Sequence, residues 1–278
     1  MSVKTKKIYS ENNDYQHIDV IKRNREKRNK YKEIFVEGVK PIERAIQNNW
    51  EFAAFAYSSQ RKLSNWAKDI LYHSKADIHY DMPLELMEKL SDKEESSEII
   101  AVVSMPKNDL ARIKINQNLL AVIFDRPSSH GNLGTIMRSC DSFKADGLII
   151  TGHCVDLYDP QTIRASLGSI FSIPVIRSEQ RELVSWLAEV KESYADLQII
   201  GTSAKAERII TDADFTKPTA LLLGNETEGL SKGYKEICDR LINIPIYGSA
   251  TSLNVGCAAS ICLYEIDRQR RQGDTRPV

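Results

Sequence analysis

Residues 119–140 read LLAVIFDRPSSHGNLGTIMRSC. The stretch opens on a short, continuous apolar run that ends at Asp125. Strands of a parallel sheet, covered on both faces, have this appearance. A loop rich in small residues follows, and the spacing then predicts a helix over Asn132–Phe143. Strand, tight loop and helix form the unit of an open α/β sheet, in which ligands sit outside the carboxyl ends of the strands.

The same pattern repeats downstream. GLIITG, IPVI, LQIIGTS, ALLLGN and LINIPIY are short, continuous and largely β-branched or leucine-rich, with the last strand expected to end at Tyr247. Helical stretches fall between and after them at Pro160–Ser169, Gln180–Ser193, Ser231–Cys238 and Leu253–Arg271. Residues 119–278 are therefore expected to be one α/β domain with a mostly parallel sheet. Upstream, residues 21–105 read as a smaller α/β module. Phe35 and Val36 begin a strand, Val39, Ile42, Ala45 and Ile46 recur at helical spacing, and EIIAVVSM reads as a buried strand. Residues 106–118, with Pro106 and several charges, read as the linker. Residues 1–20 are polar and are expected to be a flexible N-terminal arm.

Charged residues make up 27% of the chain but balance to a net charge of +0, so any attraction for nucleic acid must come from a local patch. KRNREKRNKYK, residues 22–32, is such a patch. A solvated helix and a phosphate-contacting surface both fit it; in the second reading Lys22, Arg23, Arg25, Lys27, Arg28 and Lys30 are the contacts. The five cysteines are odd in number and form no CxxC, which indicates neither a disulfide framework nor a metal site. The polar start and the lack of a long apolar run predict a soluble, cytoplasmic protein with no membrane partner.

Three strand-end loops could carry chemistry. In the first, Asn132 fits either a helix cap or a functional amide. Arg138 fits either surface decoration or a group returning to the loop. The second, LLLGNETEGLS, lacks both GxGxxG and GK[ST], so a dinucleotide or phosphate-loop reading has no physical parts. Glu226 there would repel phosphate and suits a cationic or neutral ligand. The third, IPIYGSATSLNVGCAASICLYE, offers Ser252 as a helix cap, and small residues from Gly256 to Ser260 for close packing.

Taken together and in order, HGNLGTIMRS, LLLGNETEGLS and IPIYGSATSLNVGCAASICLYE resemble the three motifs of the SpoU/TrmH family of RNA ribose 2′-O-methyltransferases. The likeness spans most of residues 119–268. IFVEGVKPIERAI resembles, less specifically, the family's N-terminal RNA-binding domain, a ribosomal-protein L30e-like α/β fold. The resemblance implies a trefoil-knotted SPOUT methyltransferase domain, which composition and spacing could not reveal because true knots are nearly absent from proteins. It implies S-adenosylmethionine as methyl donor, cupped by Thr202, Leu223, Gly224, Asn225, Glu226, Gly229, Ile244, Ile246, Ser252 and Leu253. It also implies Asn132, Arg138, Glu226, Ser252 and Asn254 as active-site residues, no metal, a homodimer with sites near its interface, and RNA as partner, rRNA more than tRNA. The chain departs from the family at His130, where many relatives carry proline, and at SFKADG, where a smaller-residue run is typical. His130 fits either an inert loop histidine or a proton carrier.

A catalytically silent RNA-binding or ribosome-assembly factor is the alternative, and the intact polar residues argue against it. A nucleotide-dependent oxidoreductase or hydrolase would need the missing glycine fingerprint. Within the leading reading one difficulty stands. The family assigns activation of the ribose hydroxyl to the arginine of the first motif, yet guanidinium groups stay protonated in proteins. Stabilising a developing alkoxide or gripping the neighbouring phosphate fits a guanidinium better.

Overall fold

The computed structural model describes residues 3–272. It comprises two compact units, one built from the residues up to 107 together with 156–172, the other from 108–155 and the residues from 173 onward.

The first unit carries β1 (Lys4–Lys7), α1 (Asn13–Arg23), α2 (Arg25–Tyr31), β2 (Glu33–Glu37), α3 (Val39–Gln47), β3 (Phe52–Tyr57), α4 (Asn65–His73), β4 (Ile78–Asp81), α5 (Leu84–Leu90) and β5 (Ile99–Ser104). Its sheet has the order β1-β4-β3-β5-β2. β1, β4 and β3 run parallel, and β5 is antiparallel to β3 and β2. Phe35, Ala56, Ile100 and Val102 from the sheet pack against Tyr15, Ile18 and Ile21 of α1. Residues 4–20 are thus no flexible arm. Lys4–Lys7 pair with Ile78–Asp81, and the side chain of Asn12 starts α1 by accepting from the amides of Asp14 and Tyr15 at 3.1 Å. Tyr15, Ile18 and Ile21 form an apolar stripe at helical spacing that the surrounding polar residues mask in the sequence.

The second unit begins with β6 (Leu120–Asp125), α6 (His130–Ser142) and β7 (Gly147–Thr151). The chain then returns to the first unit through 156–172, which holds α7 (Pro160–Ala165). The second unit resumes with β8 (Val175–Ser178), α8 (Gln180–Ser193), β9 (Gln198–Thr202), β10 (Arg208–Ile209), β11 (Thr219–Leu223), α9 (Lys232–Ile237), β12 (Arg240–Asn243) and α10 (Val255–Gln272). Its strands form one parallel sheet in the order β10-β12-β9-β11-β6-β7-β8. Two boundaries differ from the expectation. The stretch expected to be a linker packs on this unit, with Leu110 and Ile113 in its core, and 156–172 belongs to the first unit. The last strand stops at Asn243 rather than Tyr247, because Pro245 has no N–H for the ladder.

The register positions the site. Leu223 pairs with Phe124, Leu222 with Gly201 and Ile242 with Thr202. The carboxyl ends of β6, β11, β9 and β12 therefore lie side by side, and the three loops singled out in the sequence start from neighbouring strands. Among the described residues no helix is long and apolar enough to cross a membrane.

Candidate active site

β6 ends on Asp125, which is buried, and the chain turns at Arg126 with φ 51°. Asp125 accepts from the amide of Ser231 at 2.8 Å. Arg126 pairs with Asp125 and Glu228 and donates to the carbonyl of Gly229 at 3.0 Å. The β6 turn is thereby tied to the β11 loop. That loop closes on itself through paired backbone bonds between Asn225 and Gly229. The side chain of Asn225 donates to the carbonyl of Arg126 at 2.8 Å and accepts from Thr227 at 2.9 Å.

Ser129, not Asn132, caps α6, accepting from the amide of Asn132 at 3.3 Å. The side chain of Asn132 is freed for a longer reach. It donates to Glu226 Oε1 at 3.1 Å and accepts from Asn254 Nδ2 at 3.0 Å. Glu226 Oε2 accepts from Ser128 Oγ at 2.7 Å. Asn254 Oδ1 accepts from the amides of Gly256 and Cys257 at 2.9 and 3.3 Å, so Asn254 rather than Ser252 caps α10. Ser128, Glu226, Asn132 and Asn254 form one hydrogen-bonded chain across all three loops.

Burial pushes the Glu226 carboxyl up, but hydrogen bonds from Ser128 and Asn132 and from backbone amides outweigh it and hold it below its ordinary value. A depressed carboxyl contributes stability that is present above its unfolded value, about pH 4.3, and is lost as pH falls through the folded value. Glu226→Gln is accordingly expected to lie below the wild type in stability at neutral pH. The gap should narrow under acid, as read by urea midpoints across pH 3–7; a pH-independent gap would exclude the ionised form as the favoured partner.

A cavity of about 550 Å³ opens beside this chain. Thr202, Gly224, Asn225, Glu226, Gly229, Ile244, Ile246, Ser252 and Leu253 all line it, as do Asn132 and Asn254. Leu223 does not: it is fully buried in β11. The sequence reading missed Leu230, Ile242, Ala258 and Cys262, which supply apolar wall; their spacing is that of ordinary core residues. Cys262 is not a nucleophile, since burial pushes its thiol up to about 12. The size and the mixture of aliphatic wall with a few converging polar groups suit a nucleoside-sized ligand. Gly224 lets the β11 loop fold back closely on itself, Gly229 adds no side chain to the wall, and Glu226 suits a cation. These features fit S-adenosylmethionine, a nucleoside bearing a sulfonium.

Arg138 does not join the cavity. It is exposed on α6 and makes no hydrogen bond or ion pair among the described residues. His130 opens α6. Of the basic run, Lys22 and Arg28 are buried and cannot grip phosphate in this structure. Lys22 pairs with Asp92 at 2.7 Å, and Arg28 pairs with Asp156. Arg23, Arg25, Lys27 and Lys30 keep partly or fully exposed positions.

The pattern of the SpoU rRNA Methylase family matches residues 119–264, and that of the SpoU L30e-like domain matches residues 12–101. A 23S rRNA (uridine(2479)-2′-O)-methyltransferase of Streptomyces viridochromogenes is 41% identical over 271 residues, 97% of this chain and 94% of that protein. The crystal structure of the SpoU methyltransferase AviRb from the same organism, in complex with the cofactor AdoMet, superposes with a TM-score of 0.89 at 40% identity, covering 94% of this chain and 98% of that one. An AdoMet-bound rRNA methyltransferase from Sinorhizobium meliloti gives a TM-score of 0.82 at 25% identity, covering 95% and 98%. With the family pattern over more than half its length and a relative matched nearly end to end, this chain belongs to the SpoU rRNA methylase family.

Proposed function

We propose that this protein transfers a methyl group from S-adenosylmethionine to a ribose 2′-hydroxyl of 23S ribosomal RNA. The observation that carries the reading is the chain Ser128–Glu226–Asn132–Asn254 at the edge of the cavity. S-adenosylmethionine, when bound, supplies an electrophilic methyl on a sulfonium, so the protein has to position the hydroxyl and manage its proton. Each amide NH₂ has two donors. Asn132 and Asn254 each spend one on the chain, which leaves one apiece to orient a ribose oxygen. Glu226 adds negative charge beside a cationic donor. The test is incubation with labelled S-adenosylmethionine and ribosomal RNA, followed by mapping of the methylated ribose; no transfer to ribosomal RNA would overturn the reading.

Homodimerisation belongs to the same proposal. α10 lies against α6, with Ser139 Oγ 2.8 Å from Ser260 Oγ. A Cβ at Gly256 would meet Thr135 Cγ2 at 3.0 Å, so the two helices need the small residue to approach. The outer face of α10 leaves Cys257, Ile261 and Tyr264 exposed at helical spacing. In this reading a second copy covers that face, and Arg138, exposed on α6, serves the cavity of the partner subunit. Arg138→Ala is expected to lower kcat by about 10²–10³-fold, the usual cost of losing one donor to a developing oxyanion. Arg138→Lys should also fall well short of wild type, because an ammonium lacks the planar fork; a full rate from Arg138→Lys at neutral pH would exclude a geometric guanidinium role. Mixing Arg138→Ala with Glu226→Ala subunits should restore activity if the two groups act across an interface.

A knotted path for the C-terminal segment is part of this proposal, supported by the way residues 244–254 run along the cavity before α10 packs on α6. Arg23, Arg25, Lys27 and Lys30, beside Tyr31 with Lys30 Nζ 5.6 Å from its ring centre, are the phosphate and base contacts proposed for the first unit.

A further inference from the structure

The first unit holds a second cavity, of about 880 Å³, between α3, β3 and α4. Its walls are aromatic. Phe52 and Phe55 stack with ring centres 4.9 Å apart and an interplanar angle of 20°, and Trp50 and Trp66 line it as well. Trp66 is fixed, its Nε1 donating to Glu43 Oε1 at 3.0 Å. Behind Phe55 lies the buried His79, its ring 6.1 Å away.

The rim is acidic. Glu43, Glu51, Asp69 and Asp77 line the cavity, against Lys75 as the lysine or arginine there. None of these four carboxylates forms an ion pair with a described residue. A phosphate backbone would be repelled by such a rim. The chemistry instead matches a guanidinium, which stacks its plane on aromatic faces while its fork takes carboxylate oxygens. The cavity is larger than one such group, and its carboxylates come from two helices, α3 and α4, and from the loops that follow them.

We propose that this cavity is a docking site for a peptide segment of a basic protein that carries two or more arginine side chains. It shares no residue with the cavity of the second unit. The site would therefore add a protein partner to a chain whose proposed substrate is RNA.

The test is equilibrium binding of a hexa-arginine peptide to the full-length protein, read by tryptophan fluorescence. Two of the three tryptophans line the cavity, and the third, Trp186, is buried in the core of the second unit. Saturable quenching is expected. Asp69→Lys should weaken the peptide at least tenfold, whereas Glu88→Lys, an exposed acid on α5 outside the cavity, should leave it within twofold. Asp69 lies on the exposed face in the middle of α4, where a lysine is a good helix former, so the fold should tolerate the change. Trp66→Phe serves as a second variant, expected to weaken the peptide while unfolding at an unchanged urea midpoint. Equal weakening by Asp69→Lys and Glu88→Lys would reduce the effect to general charge and overturn the proposal. So would spermine binding as tightly as the peptide, or ribosomal RNA displacing it competitively from the tryptophans.

Discussion

Gly224→Ala is expected to weaken cofactor binding by about a hundredfold or more while leaving the strands of the second unit in place. Gly224 follows β11 directly and opens the loop that walls the cavity. A Cβ at this position would lie 2.3 Å from the carbonyl carbon of Gly229 and 2.3 Å from the amide nitrogen of Leu230. Both are backbone atoms, held by the paired bonds of Asn225 with Gly229 and by Arg126 on the Gly229 carbonyl. No rotamer change relieves such a clash, so the loop itself must move. Overpacking of this kind costs about 3 kcal/mol or more, which corresponds to about a hundredfold in affinity when the distortion falls on a binding loop. Binding of S-adenosylhomocysteine, measured by calorimetry, should weaken by at least that factor. Alanine at Gly131 is the contrast: the nearest atom a Cβ would meet there is Ser129 Oγ at 3.7 Å, so that variant should bind normally. Wild-type affinity in Gly224→Ala would mean that the β11 loop does not shape the cofactor site.

The strands of the second unit were legible because a sheet buried on both faces writes itself as continuous apolar runs. Their order was not, since nothing local says that β11 inserts between β6 and β9. Yet that insertion is what brings Asn132, Glu226 and Asn254 within hydrogen-bonding reach from three distant loops. Capping stays open in the sequence for a related reason. Ser129 and Asn132 are both good caps, as are Ser252 and Asn254, and only the folded geometry decides which side chain is left for the site. The resemblance to a family named the cavity residues, and spacing alone would not have. It could not place Arg138, which the single chain holds on an outer helix face. The aromatic cavity of the first unit left no sequence signal, because α3, β3 and α4 each contribute only a few of its residues.

The largest stability effect is expected at Arg28, inside the run that reads as a phosphate grip. Its side chain is only 2% exposed. Nη1 donates to the carbonyls of Ile21 and Lys22 at 2.6 and 2.7 Å. Nε donates to Asp156 Oδ2 at 3.1 Å, Nη2 pairs with the same carboxylate, and Asp159 Oδ2 lies 3.6 Å from Nη2. Asp156 is 128 residues away in sequence. This pair is one reason the 156–172 segment folds with the first unit. Removing one partner of a buried pair strands the other, at a cost of about 3–5 kcal/mol. Arg28→Met should therefore lower the chemical-denaturation stability of the first unit by that amount. Arg28→Lys should recover little of it, since one ammonium cannot serve two carbonyls and a carboxylate in the same plane. Arg28→Met combined with Asp156→Leu should recover more, because the most buried carboxylate is then not left behind and the charges that lose a partner, Asp159 and Arg25, reach solvent. The opposing reading makes a different prediction. A phosphate contact adds about one counterion to the salt dependence of RNA binding. Measured where the variant is still folded, Arg28→Met should leave that salt slope unchanged. A slope reduced by about one, with stability within about 0.5 kcal/mol of wild type, the usual range for a surface substitution, would return Arg28 to the RNA-binding surface.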